Sequence, residues 1–543
     1  MDNVIKISDF RPTKLESDMP QRDNSLNREQ SQKTNPWWKS CLIYEIIPDS
    51  FIEEGSFQDL IDKLDYVKFL GADILYLTPI TLRPEHSIDA GYDVTDHKSI
   101  DPRYGNWADF ERLVNEASKQ NIRVMVDLVL SHTSKAHFAF VASRDPNHPE
   151  HDTYKDWYVW ENPGSEGKAP NNWPSYFGTP QNPSAWTYDE RRQQYYLHNF
   201  DAGQPDLNMW NPQVQSYVLD VIRFWQEKGA DMRLDVVNCF FHDRSLKNAS
   251  PRAESTIPDG CTADNPMAAY DLSYLEQSAC IEFMKACRKA AGTSVVLAEV
   301  ALANDSIELA SYYVGEDKAH MAYSGSLLRN DILSAEHLNS VLQRIQQYFP
   351  KGGFCVAIGN HDFSRVTSRL FSEAENPAAA SVQYMKFCSL LPGSFINYYG
   401  DEWGQKQTAD AESSTVKYAQ PGLSHRNGAR SRPDWSAVAE QISDTSSPLF
   451  QLHEHYLWRK QQPAIQSGQF KVLELEKPLV GFVRSAEKQV LAAVFNTSNS
   501  VINTGLGFDV EPYQCMVINS SNPEHNLFFQ AVLPTFGRVD HTL

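Results

Sequence analysis

The stretch VQSYVLDVIRFWQEKGADMRLDVV (residues 214–237) places a helix directly before a strand. VQSYVLDVIRFWQEKG (214–229) reads as helical and ADMRLDVV (230–237) as a short buried strand. Within the strand, Met232, Leu234 and Val236 share one parity, and Arg233 and Asp235 share the other. Two opposite charges therefore project from one face of an apolar strand. Buried Asp and Arg often pair only to satisfy each other, so the rest of the chain must decide whether Asp235 is structural or reactive.

The same unit recurs in both directions. LIYEIIP (42–48), DILYLTP (73–79), IRVMVDLVL (122–130), SVVLAEV (294–300), AHMAYSGSL (319–327), FCVAIGN (354–360) and GSFINYYG (393–400) are the other strand-like runs. Helical patterns separate most of them. FQDLIDKLDYVKFLG (57–71) carries Leu60, Leu64, Val67 and Leu70 at helical spacing with Gly71 as a C-cap, and WADFERLVNEASKQ (107–120) is a second such helix. Continuous apolar strands alternating with helices argue for an α/β fold with a parallel sheet, and eight repeats fit a closed (β/α)8 TIM barrel. Residues 133–206, rich in Pro, Asn, Trp and Tyr, interrupt the rhythm after the third strand. A structureless loop of that length is unusual, so an inserted domain is predicted there. Residues 401–450 are polar and irregular, and beyond about 465 the short runs FKVLEL, LVGFVRS, VLAAVFNTS and QCMVINS predict a C-terminal antiparallel β domain. The expected division is a disordered leader at 1–36, a barrel at 37–132 and 207–455, the insert at 133–206 and a C-terminal β-sandwich at 456–543.

Composition narrows the function. The 543 residues are 41% apolar and 22% charged, which is ordinary globular composition with ample core. Forty-nine basic against 69 acidic residues leave a net charge of −20, and no run of Lys or Arg interrupts it. Such a chain repels phosphate backbones, so nucleic acid is excluded as a partner, and a strongly anionic substrate is disfavoured. No 18-residue apolar run predicts a membrane span, and the polar N-terminus lacks the apolar core of a signal peptide. The eight cysteines form no CxxC pair and read as reduced thiols of a cytoplasmic protein. Aromatic residues reach 12%, many of them in loop-like segments where flat rings can stack on sugars.

In barrels of this kind the C-terminal ends of the strands build the active site. Polar residues collect there: Asp127 and His132 after strand three, Arg233 and Asp235 at strand four, Glu299 at strand five, and His361 with Asp362 at strand seven. Asp235, Glu299 and Asp362, three acids converging from strands four, five and seven in a low-dielectric mouth, cannot all ionise freely, which suits one of them to proton donation. Without a metal cluster, a carboxylate pair with a helper is the equipment for glycoside cleavage.

The markers IYEIIPDSF, IDAGYDVTDH, DLVLSHTS, PNNWPSYFG, YYLHNFDAGQPDLN, RLDVVN, AEV, GNHDFSR, NYYGDEWG and GARSRPDW occur in the order found in glycoside hydrolase family 13. The chain resembles that α-amylase family, and within it the α-glucosidase and oligo-1,6-glucosidase branch, over roughly residues 37–540. The resemblance implies that Asp235 is the nucleophile, Glu299 the general acid/base and Asp362 the carboxylate that grips the reacting glucose. It implies that Asp89, Tyr92, His132, Arg233, His361 and Arg430 hold that sugar, and that Phe177, Phe200 and Gln204 form the walls and rim of the pocket. The expected partner is a small oligosaccharide or disaccharide. The expected outcome is retained configuration, with the two catalytic carboxyl groups about 5–5.5 Å apart. Arg233 is expected to keep Asp235 ionised and oriented. A transferase or isomerase acting on sucrose, maltose or trehalose would use the same site, and a non-catalytic relative is a further alternative.

Four departures from the family pattern matter. RSRPDW replaces the usual Arg-Ser/Thr-Pro-Met, so Arg432 competes with Arg430 for the binding role. GADMRLD (229–235) is one residue short, and a slip in register would turn the nucleophile to the wrong face. SFIEEGSFQDLI (50–61) lacks the alternating oxygen ligands of a metal loop, and Ser131 stands where relatives often carry Asn, so no metal or other cofactor is expected. Val236, beside the nucleophile, goes in the resembling branch with α-1,6 rather than α-1,4 cleavage.

Overall fold

A computed structural model describes residues 36–529, apart from 54, 88, 180, 253–265, 302, 304, 329–332, 410–423, 487–488, 505–507, 521 and 523–527. The leader at 1–35, Cys261 and residues 410–423 lie outside the described residues, and the segment expected to be irregular at 401–450 carries the helices Ser424–Ala429 and Trp435–Ser443.

Eight parallel strands form the centre: β1 (Leu42–Ile46), β2 (Ile74–Leu77), β3 (Arg123–Leu128), β4 (Asp231–Leu234), β5 (Val296–Val300), β6 (Met321–Ser324), β7 (Cys355–Ala357) and β8 (Ser394–Tyr398). Their order in the sheet is β6-β5-β4-β3-β2-β1-β8-β7. The gap between β6 and β7 is bridged at Ala322 and Phe354, where the Ala322 N–H donates to the Gly353 carbonyl at 3.0 Å. The barrel is thus closed, as the strand count predicts.

Parity explains what fills it. Ile43, Ile74, Tyr76, Met125, Leu297, Met321, Tyr323, Cys355, Ala357 and Ile396 form one buried cluster inside the ring. Their neighbours Leu42, Tyr44, Leu75, Leu77, Val124, Val126, Met232, Leu234, Val296 and Ala298 pack outward into a larger core shared with the helices. A strand repeats its inward direction every second residue. Two residues beyond Ile43, Met125 and Leu297 come Glu45, Asp127 and Glu299, which therefore also point inward, one layer nearer the C-terminal mouth.

The surrounding helices begin with recognisable caps. Asn106 and Asp109 form a reciprocal capping box for the helix Trp107–Lys119. Asn211 caps the helix Pro212–Glu227, which takes Pro at its start where no N–H is needed. The predicted helix 57–71 is two helices, Phe57–Asp62 and Leu64–Leu70. They meet at Lys63, whose ψ of −1° tightens the turn, and the second ends at left-handed Gly71 (φ 80°).

The excursion after β3 carries its own structure. Helices Phe138–Arg144 and His151–Tyr154 precede an antiparallel sheet of Trp160–Glu161, Gln194–Leu197 and Trp186–Asp189, with a separate hairpin of Pro174–Thr179 and Asn182–Ser184. At the chain's other end, β9 (Gln469–Val472), β10 (Leu479–Ala486), β11 (Gln489–Asn496) and β12 (Cys515–Asn519) form one antiparallel sheet. A two-stranded ribbon of Ile502–Asn503 and Asp509–Val510 accompanies it.

The short GADMRLD segment leaves the ladder intact. Met232 pairs with Val126 and Val296, and Arg233 with Asp127 and Leu297, without a bulge. The missing residue is absorbed before Arg233, and β4 ends at Leu234, so Asp235 sits just past the strand.

Candidate active site

Arg233 is fully buried at the C-terminal end of the ring and is the hub of the inward polar layer. Its Nη1 donates to Asp127 Oδ1 at 2.8 Å and to Asp235 Oδ1 at 2.5 Å. Its Nη2 donates to Tyr323 Oη at 2.7 Å and to Glu299 Oε2. Tyr76 and Tyr92 each donate their hydroxyl to Asp127 Oδ2 at 2.6 Å. Asp235 and Glu299, from neighbouring strand ends, thus meet at the two nitrogens of one guanidinium.

The loops that follow are tied together. Asn238 Nδ2 donates to the Ala301 carbonyl at 2.5 Å, and the Ala301 N–H donates back to Asn238 Oδ1 at 3.2 Å. Val236 is left-handed (φ 33°, ψ 54°), a conformation that β-branched residues avoid, and from it the N–H donates to Glu299 Oε2 at 3.2 Å.

The charge balance corrects one expectation. Burial pushes the Asp235 carboxyl well above the usual carboxylate range; Arg233 opposes this, while Glu299 and Asp127 add to it. Arg233 alone was expected to hold Asp235 low. It orients Asp235 but shares its charge among three acids.

A second group of acids lies beside the first. Asp362, with 21% of its side chain exposed, accepts from Arg426 Nη2 at 2.5 Å and Nε at 3.0 Å, and from Arg430 Nη2 at 3.2 Å. Both arginines also reach the buried Asp89, at 3.1 and 3.2 Å. Burial opposes ionisation of Asp89 and Asp362, yet Arg426 and Arg430 hold both carboxyls below their ordinary range. Arg430 is fully buried against Asp89 and Asp362. Arg432 lies at the surface against Glu53, which excludes it from the pocket.

The remaining expected residues gather here with unequal freedom. His361 stacks on Tyr92 with ring centres 5.0 Å apart. The Tyr92 hydroxyl is committed to Asp127, leaving its ring to meet a ligand. Both nitrogens of His132 are engaged, Nδ1 by Ser131 Oγ at 2.9 Å and Nε2 by the Tyr92 carbonyl at 3.0 Å, and burial lowers its pKa to about 4. Gln204 Nε2 donates to the Tyr92 carbonyl at 3.3 Å and to Asp89 at 3.4 Å. Phe177 and Phe200 are neighbours, and the Arg426 guanidinium lies 4.5 Å over the Phe177 ring.

A cavity of about 40 Å³ opens on Glu299, Asp362, Phe200 and Val236, with Tyr176, Tyr323 and Phe363 completing much of its wall. That is room for about one water molecule. Arg426, Tyr323, Tyr176 and Phe363 escaped the reading of the sequence. Arg426 precedes Arg430 by one helical turn in the helix Ser424–Ala429 and its exit, a spacing that was available as a signal. Among the described residues no group of three or more His, Cys, Asp or Glu is placed to hold a metal ion.

A parallel eight-stranded barrel whose mouth holds three carboxyls on one arginine, and two more on a separate arginine pair, carries the equipment of a glycosidase. Residues 21–467 match the alpha amylase catalytic domain. A probable alpha-glucosidase of Rhizobium meliloti (strain 1021) is 33% identical over 561 residues, spanning 95% of this chain and 100% of that protein. An oligo-1,6-glucosidase of Heyndrickxia coagulans is 31% identical over 390 residues, covering 68% of this chain and 67% of the relative. Among solved structures, an alpha-glucosyl transfer enzyme, XgtA, superposes with a TM-score of 0.79 at 31% identity, covering 89% of this chain and 99% of its own. The chain belongs to the α-amylase family of glycoside hydrolases.

Proposed function

We propose that the protein is a retaining, exo-acting α-glucosidase that hydrolyses short α-glucosides through a covalent glucosyl-enzyme. The observation that carries this reading is the sharing of Arg233 by Asp235 and Glu299. An Asp235 oxygen attacks the anomeric carbon as the glycosidic C–O bond breaks, and Glu299 gives its proton to the leaving oxygen. Positive charge developing at the anomeric carbon favours the ionised form of Asp235 at the moment of attack. Glu299, now a carboxylate, takes a proton from water; the water oxygen bonds to the anomeric carbon and the Asp235 ester bond breaks. Two inversions leave the configuration unchanged. Asp362, kept anionic by its arginines, is the group that grips the hydroxyls of the sugar.

Exo action is supported by the likeness to a probable alpha-glucosidase that spans 95% of this chain. Val236 lines the cavity next to both catalytic carboxyls, which supports a preference for the α-1,6 linkage of isomaltose. The cytoplasm as the place of action is supported by the seven described cysteines, all free and six of them buried.

Proton NMR of a nitrophenyl α-glucoside digest tests the reading directly. The α-anomer is expected first, and mass spectrometry of a trapped fluoro-glucoside adduct is expected to place one hexosyl unit on Asp235. A β-anomer first, or an adduct elsewhere, overturns it. Transfer to a second sugar is the competing reading, favoured by the similarity to an alpha-glucosyl transfer enzyme. Product analysis at high maltose and sucrose separates the two, since glucose as the main product supports hydrolysis.

A further inference from the structure

We propose that Glu45 is a positioning residue for this reaction, acting through His361. The proposal rests on the glycosidase reading above. Glu45 stands near the end of β1, is 2% exposed, and does not line the cavity. His361 Nδ1 donates to Glu45 Oε1 at 2.7 Å, and His361 Nε2 then lies 3.4 Å from Asp362 Oδ1. One imidazole therefore stands between two carboxylates from different strand ends. Its plane is fixed by the Tyr92 ring, tilted by only 16°, and its backbone carbonyl accepts from Arg430 Nε at 2.9 Å.

A carboxylate on one ring nitrogen fixes which nitrogen carries hydrogen and favours the doubly protonated ring. With Nδ1–H committed to Glu45, a charged His361 keeps an Nε2–H directed at Asp362 and at any hydroxyl Asp362 holds. Glu45 is thus arranged to supply the charge and orientation, and His361 the contact.

The charges facing the pair agree with this. Burial works against the imidazolium, but Asp362 and Glu45 raise the His361 pKa above its ordinary value, with Arg430 opposing. Burial and Asp127 raise Glu45, while His361 and Arg233 lower it. Asp89 completes the set by feeling the His361 charge. Glutamine at position 45 would keep the shape and an acceptor for Nδ1–H but would remove the negative charge.

The test is Glu45→Gln, read by NMR titration of ¹³C-labelled histidines with His361 assigned from His361→Gln. In the wild type His361 is expected to titrate above the ordinary imidazole value. In Glu45→Gln it should fall by a unit or more, and the alkaline limb of kcat/KM should move down with it. kcat is expected to drop about ten- to a hundredfold, the usual cost of losing a group that orients an active-site histidine. A wild-type His361 that titrates at or below its ordinary value overturns the proposal, and this holds even if the variant does not fold. So does a variant that loses thermal stability while the His361 titration and the alkaline limb stay put. A wild type without glucosidase activity would overturn the function instead, a result that activity assays separate from the titration.

Discussion

Around Arg233, three buried carboxyls share a single guanidinium. Beside that group, Asp89 and Asp362 share two guanidiniums, Arg426 and Arg430, with His361 alongside. Burial acts against ionisation in both groups, yet Asp235 is pushed up and Asp362 is pulled down. The number of cations per acid decides the direction, because each opposite charge within hydrogen-bond reach offsets part of the cost of desolvation. The cation-poor group is suited to keeping a proton for the leaving oxygen. The cation-rich group is suited to staying charged throughout the reaction. Asp206 extends the series to zero: buried with Asn199 and without an ion-pair partner among the described residues, it is lifted to about 8.

The largest break in the comparison comes from the cation-poor group. Asp235→Asn and Glu299→Gln should each lower turnover by at least about 10²-fold, the lower end of what covalent and acid–base contributions are worth. Asp235→Asn should leave the melting temperature unchanged or higher, because it removes an acid that burial disfavours. Retention of a tenth of the wild-type rate by either variant would show that the reaction uses other groups.

Arg426→Ala turns the second group toward the first by leaving Asp362 one arginine. The Asp362 anion is now secure above the ordinary carboxylate pKa and would be lost only as pH falls below its depressed folded value. The variant raises that value, so the acid limb of kcat/KM should move to higher pH. The parameter itself should fall about 10²-fold, as for loss of a charge-assisted contact of ~3 kcal/mol. An acid limb unmoved by the substitution would refute the cation count as the cause.

Asp206 tests the rule without catalysis. The folded chain keeps it neutral up to about 8, whereas the unfolded chain ionises it near 4, so more protons are bound when folded and stability falls as pH rises through that window. Asp206→Asn should flatten this dependence. The gain near pH 8 should be a few kcal/mol, at roughly 1.4 kcal/mol per pH unit. Parallel denaturation curves of the two proteins from pH 5 to 8 would contradict it.

The smallest effect belongs to Val236. It changes neither group's charge and borders Asp235 and Glu299 of the first. Val236→Thr should raise the maltose/isomaltose rate ratio about tenfold, the worth of one hydrogen bond or methyl-sized change at a specificity position. A wild type that prefers maltose, with the ratio unmoved by the substitution, would remove Val236 from the account of linkage choice.

Much of this could be read along the chain. Strand parity put Met232 and Leu234 outward and Arg233 inward, and the same period of two set Glu45, Asp127 and Glu299 above Ile43, Met125 and Leu297. Acids at the ends of alternating strands therefore announced both the barrel and its reactive mouth. These readings succeed because they depend on neighbours one or two residues away. The spacing to Arg430 only hints at Arg426, since its role depends on ion pairs to Asp89 and Asp362, far away in sequence. The fate of Tyr92 and His132, whose polar atoms are spent on Asp127, Ser131 and the Tyr92 backbone, could not be found in that way. The proton state of Asp235 was the clearest failure. Arg233 two residues away predicts a low pKa, but β3 and β5 bring Asp127 and Glu299 to the same guanidinium. The chain by itself determined which residues face inward and which chemistry they carry. Only the tertiary structure decided how many acids each cation serves, because that count is a sum over strands and helices far apart in sequence.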